Sequence, residues 1–333
     1  MTDEQLSEPG PTAHLRLAQP ADDHSVAEWE AAAAGVLRKS RRLTDDDADG
    51  LVWERLARTT LDGIAVTPLG TPTDLERLRT AGRPTRAGAW DVRAHIGDLD
   101  EKLANESALA DLDGGVTSLW VHADAETDLA TVLQGVLLDL APVVLEAPTA
   151  PLQAARGLLA LVAERDLEPH PATNLGVDPI GAVHRGLASE QDGWRDQLVA
   201  VARLAQELGV LGVVVDATAA HDLGGSDVQE LGYGLAVGAA YLRVLTAAGL
   251  SPVEAARLIE FRFAATDEQF PTIAKLRAAR RLWARVLELS DAEGVPMRLH
   301  AVASRPMLSK YDPYVNMLRG TVAAFAAGVG GAD

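Results

Sequence analysis

Side chains able to carry protons or hold a metal recur in this chain just after short apolar runs. They are His122, then Glu146 with Pro148, then Asn174 and Asp178, then Asp216 with His221 and Asp222, then Thr266, Asp267 and Glu268, and last His300 with Ser304. Imidazole and carboxylate are the usual proton carriers and, where several converge, usual ligands of a catalytic zinc. His122, Asp216 and His300 would form such a set if the fold brought them together, making a metal-dependent enzyme. The plainer reading is that they are separate polar residues at strand ends. Cysteine is absent, which excludes thiolate nucleophiles, thiolate metal sites and disulfides.

Two further clusters invite interpretation. The loop His221-Asp222-Leu223-Gly224-Gly225-Ser226-Asp227 precedes a helix whose free N–H groups favour anions. Asp222 and Asp227 would repel a phosphate there and are themselves suited to capping the helix. Arg277, Arg280, Arg281 and Arg285 share a helix with Leu276, Leu282, Trp283 and Val286. That spacing reads as a basic outer face over an apolar inner one. A salt-bridged subunit interface is the sharper option in so acidic a chain.

The elements that must position these residues form a regular series. Apolar or β-branched runs fall at 117–122, 142–147, 172–177, 211–217, 261–264 and 297–302, with helical stretches between them at 126–140, 152–165, 191–208, 228–248 and 272–289. Strands alternating with helices of this length imply parallel pairing through right-handed crossovers. The near-continuous apolar character of several strands fits a sheet covered on both faces. A dinucleotide-binding sheet would need a Gly-rich turn after its first strand. Here Trp120-Val121-His122 is followed by Ala123-Asp124-Ala125-Glu126, acidic and without glycine.

The expected fold is therefore an α/β, TIM-type (β/α)8 barrel, with chemistry at the carboxyl ends of its strands. Only about six βα units are visible, and a final helix at 313–327 runs into Gly328-Val329-Gly330-Gly331, so the barrel reads as truncated. Upstream lies a helical arm. Residues 1–24 are polar, Val26, Trp29, Ala33, Val36 and Leu37 follow at helical spacing, Asp45–Asp49 reads as a solvated turn, and 61–70 as a hairpin or connector. The organisation expected is an arm and connector for subunit contact at 1–89, then a partial barrel at 90–333.

Composition narrows the partners. With a formal charge of −18, the chain repels phosphate backbones and anionic lipid, which argues against nucleic acid and membrane surfaces. No apolar run approaches the ~18 residues of a membrane span. The polar, acidic start MTDEQLSEPG does not resemble a secretory signal, so a cytoplasmic location is expected.

Longer motifs resemble one family. Ala274-Lys275-Leu276-Arg277-Ala278-Ala279-Arg280-Arg281-Leu282-Trp283-Ala284 resembles the KLRAARxLWA helix of methylmalonyl-CoA mutases. Met297-Arg298-Leu299-His300 and Asp312-Pro313-Tyr314-Val315-Asn316-Met317-Leu318-Arg319 follow at the spacing of that family's RxH strand and DPYNNxxR helix. Trp90-Asp91-Val92-Arg93 resembles its WxxR stretch, and Thr60-Leu61-Asp62-Gly63-Ile64 with Pro68-Leu69 its TxDGIxxxPL segment. The resemblance implies a barrel taking a CoA thioester along its axis and a separate cobalamin domain carrying DxHxxG. Of the eight histidines only His24, in Asp22-x-His24, begins that motif, and Ala27 stands where glycine belongs. The cobalamin domain is thus expected to be absent, with no cofactor bound by this chain.

The same resemblance assigns positions and finds them changed. The family's Tyr-His pair after the fourth strand falls on Thr218 and Ala219, and the tyrosine between substrate and corrin falls on His95. Two substrate-recognising glutamines fall on Gly176 and Val302. The arginine for the substrate carboxylate lies in a poorly matching region, with Arg185 nearby, and His221 takes a glutamine's place. Losing one general acid costs roughly 10²–10⁴-fold in rate. The pattern resembles the small, beta, subunit of heterodimeric mutases, a non-catalytic partner that stabilises the large, alpha, subunit, where adenosylcobalamin would sit. The complex would interconvert methylmalonyl-CoA and succinyl-CoA. A catalytic acyl-CoA mutase with an altered substrate is the alternative.

Overall fold

The computed structural model describes residues 22–71, 74, 89–97, 100–189 and 193–333, so most of the expected arm at 1–24 lies outside the described residues. The chain divides into two compact units, Met1–Arg77 and Leu78–Asp333.

In the first unit, the helix Val26–Lys39 starts at a capping box, in which Ser25 takes the Glu28 N–H and Glu28 takes the Ser25 N–H. It buries Ala34 and Leu37 against Leu43 and Val52, while Trp29 and Trp53 pack with ring centroids 4.7 Å apart. Antiparallel strands β1 (Arg58–Thr59) and β2 (Ala65–Val66) follow, turning at Gly63 with φ +77°. This is the hairpin expected near 61–70.

The second unit is built on seven parallel strands in sequential order: β3 (Arg93–Ile96), β4 (Ser118–His122), β5 (Val143–Glu146), β6 (Asn174–Val177), β7 (Leu211–Asp216), β8 (Ile259–Ala265) and β9 (Arg298–Ala303). The count of six βα units is corrected to seven strands. β3 was missed because Arg93 and His95, half of its four residues, are polar and point inward, so it never reads as an apolar run. The helix expected at 126–140 shrinks to Leu129–Val132. Gly135, at φ +78°, breaks it.

The sheet curls. Arg93 on β3 pairs with Glu260 on β8 at 2.8 Å, and Trp120 on β4 lies under Arg262 of β8, although these strands are far apart in the sheet order. Only a sheet bent into a partial barrel brings them together. Asp333 lies between the two edge strands, its N–H donating to Leu299 O beside β9 and its carbonyl accepting from Asp91 N ahead of β3.

Alternation along the strands sorts the residues. Leu119, Val121, Leu145, Leu175, Val213, Val215, Phe261 and Phe263 face out, against Leu158, Val201, Leu245, Leu276 and Trp283 of the surrounding helices. Each such side chain contributes roughly 1.5–3 kcal/mol by burial. The inward positions hold only a small apolar cluster of Trp120, Val144 and Val214, with Val302 packed on it. The rest of the interior is polar. Among the described residues no helix is long and apolar enough to cross a membrane.

Candidate functional site

Inside the curl, period-two spacing stacks polar side chains in tiers. At the amino ends of the strands, Glu260 is held by Arg93 Nη1 at 2.8 Å and Arg298 Nε at 3.4 Å, and Arg93 Nε donates to Ser118 Oγ. Burial pushes the Glu260 carboxyl up, but Arg93 and Arg298 outweigh it and leave it below the usual carboxylate range.

The middle tier centres on Arg262, whose side chain is 2% exposed. Its guanidinium carbon lies 3.7 Å from the Trp120 ring centroid; Nη1 donates to Asp216 Oδ2 at 3.0 Å and Nε to His300 Nδ1 at 3.2 Å. Burial and the nearby Arg93 and Arg262 charges drive the His300 pKa well down, so the imidazole is neutral and accepting. Such a group has no proton to give along its Nδ1 edge.

At the carboxyl ends, Arg185 bridges Glu146 Oε1 at 2.5 Å and Asp216 Oδ2 at 3.4 Å. His95 Nε2 and His122 Nδ1 stand 3.6 and 4.0 Å from Glu146 Oε2. Burial works to raise the Glu146 pKa, but the contact with His95 and the charges of Arg185 and Arg262 hold it far below the usual range. Asp178 ties three elements together, accepting from Tyr241 OH at 2.6 Å, Gly181 N at 3.1 Å and Asp216 N at 3.2 Å. Its burial outweighs those donors and pushes its pKa up to about 6.

The metal set does not assemble. His300 and Asp216 face the two sides of the Arg262 guanidinium, and His122 sits beside Glu146. A cation already occupies the place the ion would need. No group of three or more His, Asp and Glu able to hold a metal occurs among the described residues.

The His221 loop is also tied down. Ser226, not Asp222 or Asp227, caps the helix Asp227–Ala247, while Asp222 pairs with Arg305 and Asp227 with Lys275. His221 Nε2 is 2.7 Å from Ser304 Oγ, and burial together with Lys275 lowers its pKa. Beneath it, buried Glu230 takes Lys275 Nζ and Ala264 N, both at 2.6 Å. Burial outweighs Lys275 and raises Glu230 to about 7. The expected basic outer face is half right. Arg285 pairs with Glu288 on the surface, but Arg280 is buried, donating to Met297 O, Gly331 O and Asp333.

Thr266 shares a hydrogen bond with Thr272, Asp267 pairs with Arg319, and Asn174 donates to Val213 O, so these strand-end residues serve packing. Sequence reasoning missed Arg262, Trp120, Glu260 and Arg93. The signal was present in Ile259–Ala265, where Glu260 and Arg262 alternate with Phe261 and Phe263, a pattern of charges aimed into a sheet's interior.

The family model described as methylmalonyl-CoA mutase matches residues 205–333. A methylmalonyl-CoA mutase small subunit from Streptomyces virginiae is 42% identical over 97% of this chain and 55% of its own length. One from Propionibacterium freudenreichii subsp. shermanii is 36% identical over 92% of this chain and 51% of its own. The methylmalonyl-CoA mutase of Escherichia coli K12 is 23% identical, covering 92% and 48%. The chain belongs to the methylmalonyl-CoA mutase family. It spans about half the length of the curated relatives it matches.

The positions that the family resemblance singles out can now be placed. Thr218 is buried, with both its N–H and its hydroxyl donating to Asp216 Oδ1, and Ala219 is 2% exposed with no polar side chain. Val302 packs on Trp120, Val144 and Val214. His95 leans on the Trp120 ring at 4.1 Å and is partly exposed. Gly176, at φ +73°, brings its backbone so close to β5 that a Cβ would lie 1.8 Å from Leu145 O. No glutamine fits that backbone. Of these positions, His95 and Arg185 come together at Glu146, with Gly176 lining the same cavity as Glu146 and Arg185.

Cobalamin requires a histidine ligand in its DxHxxG loop. Here Asp22 and His24 both precede Ser25, the cap of the helix Val26–Lys39, and Ala27 lies in its first turn. This donor set does not fit a corrin.

Proposed function

We propose that this chain is the barrel portion of the small subunit of an adenosylcobalamin-dependent methylmalonyl-CoA mutase, a non-catalytic partner that stabilises the catalytic large subunit. In this reading the complex interconverts methylmalonyl-CoA and succinyl-CoA, and adenosylcobalamin is held by the large subunit. The seven-stranded curl is consistent with most of an eight-stranded barrel.

The observation that carries the proposal is the Arg262 stack. A thioester threading the axis would have to displace a buried guanidinium from Trp120, Asp216 and His300 together. Losing the partners of a buried charge costs several kcal/mol. The small-subunit names of the Streptomyces and Propionibacterium relatives support the assignment. The likeness to the E. coli mutase supports a shared barrel ancestry with active chains.

Co-expression with a large mutase subunit tests it. The expected outcome is a stable complex that isomerises methylmalonyl-CoA, while the purified chain alone neither turns over the thioester nor binds it. Turnover by this chain with a cobalamin-binding partner that lacks its own barrel would show the assignment to be wrong.

A further inference from the structure

Independently of that reading, the structure holds a cavity of about 300 Å³ beside the axis, between the carboxyl ends of β5 and β6 and the helices Pro179–His184 and Trp194–Leu208. Its walls are mostly apolar, with Pro148, Pro151, Ile180, Val183 and Trp194, and also carry Gly176, Ser189 and Gln197. Arg185 separates it from the interior, with Glu146 and Asp178 at the inner end. The volume lies at the lower bound of natural ligand pockets, and apolar walls with few polar groups are their usual make-up.

The charges at the inner end decide the ligand class. Arg185 is neutralised by Glu146 at 2.5 Å and Asp216 at 3.4 Å, and Asp178 already accepts from Tyr241, Gly181 and Asp216. An ionic ligand would lose its hydration at an inner end where Arg185 is already paired. A neutral apolar ligand loses little and gains the walls. The site is also set in advance: Trp194 carries the Arg195 guanidinium 4.4 Å from its ring centroid, with Tyr241 at 6.3 Å. Val183, 40% exposed, and exposed His184 form the rim.

We propose that this cavity is a binding site for a compact, neutral, apolar molecule.

The test uses the full chain with toluene, benzoate and benzylamine as probes, read by calorimetry and by nuclear Overhauser contacts. Toluene is expected to bind and show contacts to the Trp194 indole, with both ionic analogues at least about tenfold weaker. Ala188→Phe, which places a ring in the cavity, is expected to weaken toluene by about tenfold or more. Should that variant fold poorly, the wild-type contacts to Trp194 and Ile180 decide the matter. No toluene binding, or contacts elsewhere, overturns the site; benzoate or benzylamine binding as tightly as toluene overturns the ligand class.

Discussion

The Arg262 guanidinium carbon lies over Trp120, 3.7 Å from the ring centroid, on a strand four places away in the sheet. One side chain thereby fastens two walls of the curl and fills the space between them. Cation–π contact in so dry a setting contributes about 2 kcal/mol beyond the ion pair. Because Asp216 and His300 share the same guanidinium, the interior behaves as a single network.

Arg262→Leu should therefore destabilise the chain by about 3–5 kcal/mol, since it strands the buried Asp216 carboxylate with only the more distant Arg185. Urea denaturation measures this. A loss below about 1 kcal/mol would mean the interior repacks and the network is dispensable.

Gly176→Ala should cost more than its one added methyl suggests. The left-handed φ of +73° and the 1.8 Å approach to Leu145 O both act against a side chain. We expect at least ~2 kcal/mol lost, read from the same denaturation experiment. Gly186, also at positive φ but with open space around it, is the control and should lose less.

Asp178 gives a pH signature. Its folded pKa of about 6 lies above the ordinary aspartate value, so the folded state prefers the protonated carboxyl. The associated stability is fully present below about pH 4 and is lost as pH rises through 6. The loss relative to Asp178→Asn should be on the order of 2–3 kcal/mol across that window. Carboxyl carbon NMR should place its midpoint near 6; a midpoint near 4 would refute the burial argument.

Ala219→His should not confer turnover on the purified chain. The new imidazole would enter a position now 2% exposed, behind Thr218 and Asp216, and the Arg262 stack would still fill the axis. An isomerisation assay on the purified variant alone checks this. Measurable activity would show that the acid alone was missing.

The alternation of strands and helices was legible because apolar runs and helical periods survive any sequence reading. β3 was not, since its inward Arg93 and His95 hide the apolar signal that marks a strand. Among the candidate residues, Arg185 lay in a poorly matching region and no motif placed it. Its capture by Glu146 was not legible either, because that pair joins positions 39 residues apart. The metal set failed for a similar reason. Sequence placed His122, Asp216 and His300 at separate strand ends, and nothing local revealed that Arg262 would stand between two of them.

Gly176 also bears on what this chain can become. A missing acid is restored by one codon change, but a side chain at position 176 requires the peptide planes of two neighbouring strands to move apart first. Any variant holding the new residue without that shift is penalised before it gains a function. Selection acting one mutation at a time thus meets a barrier at this position, whichever side chain is offered.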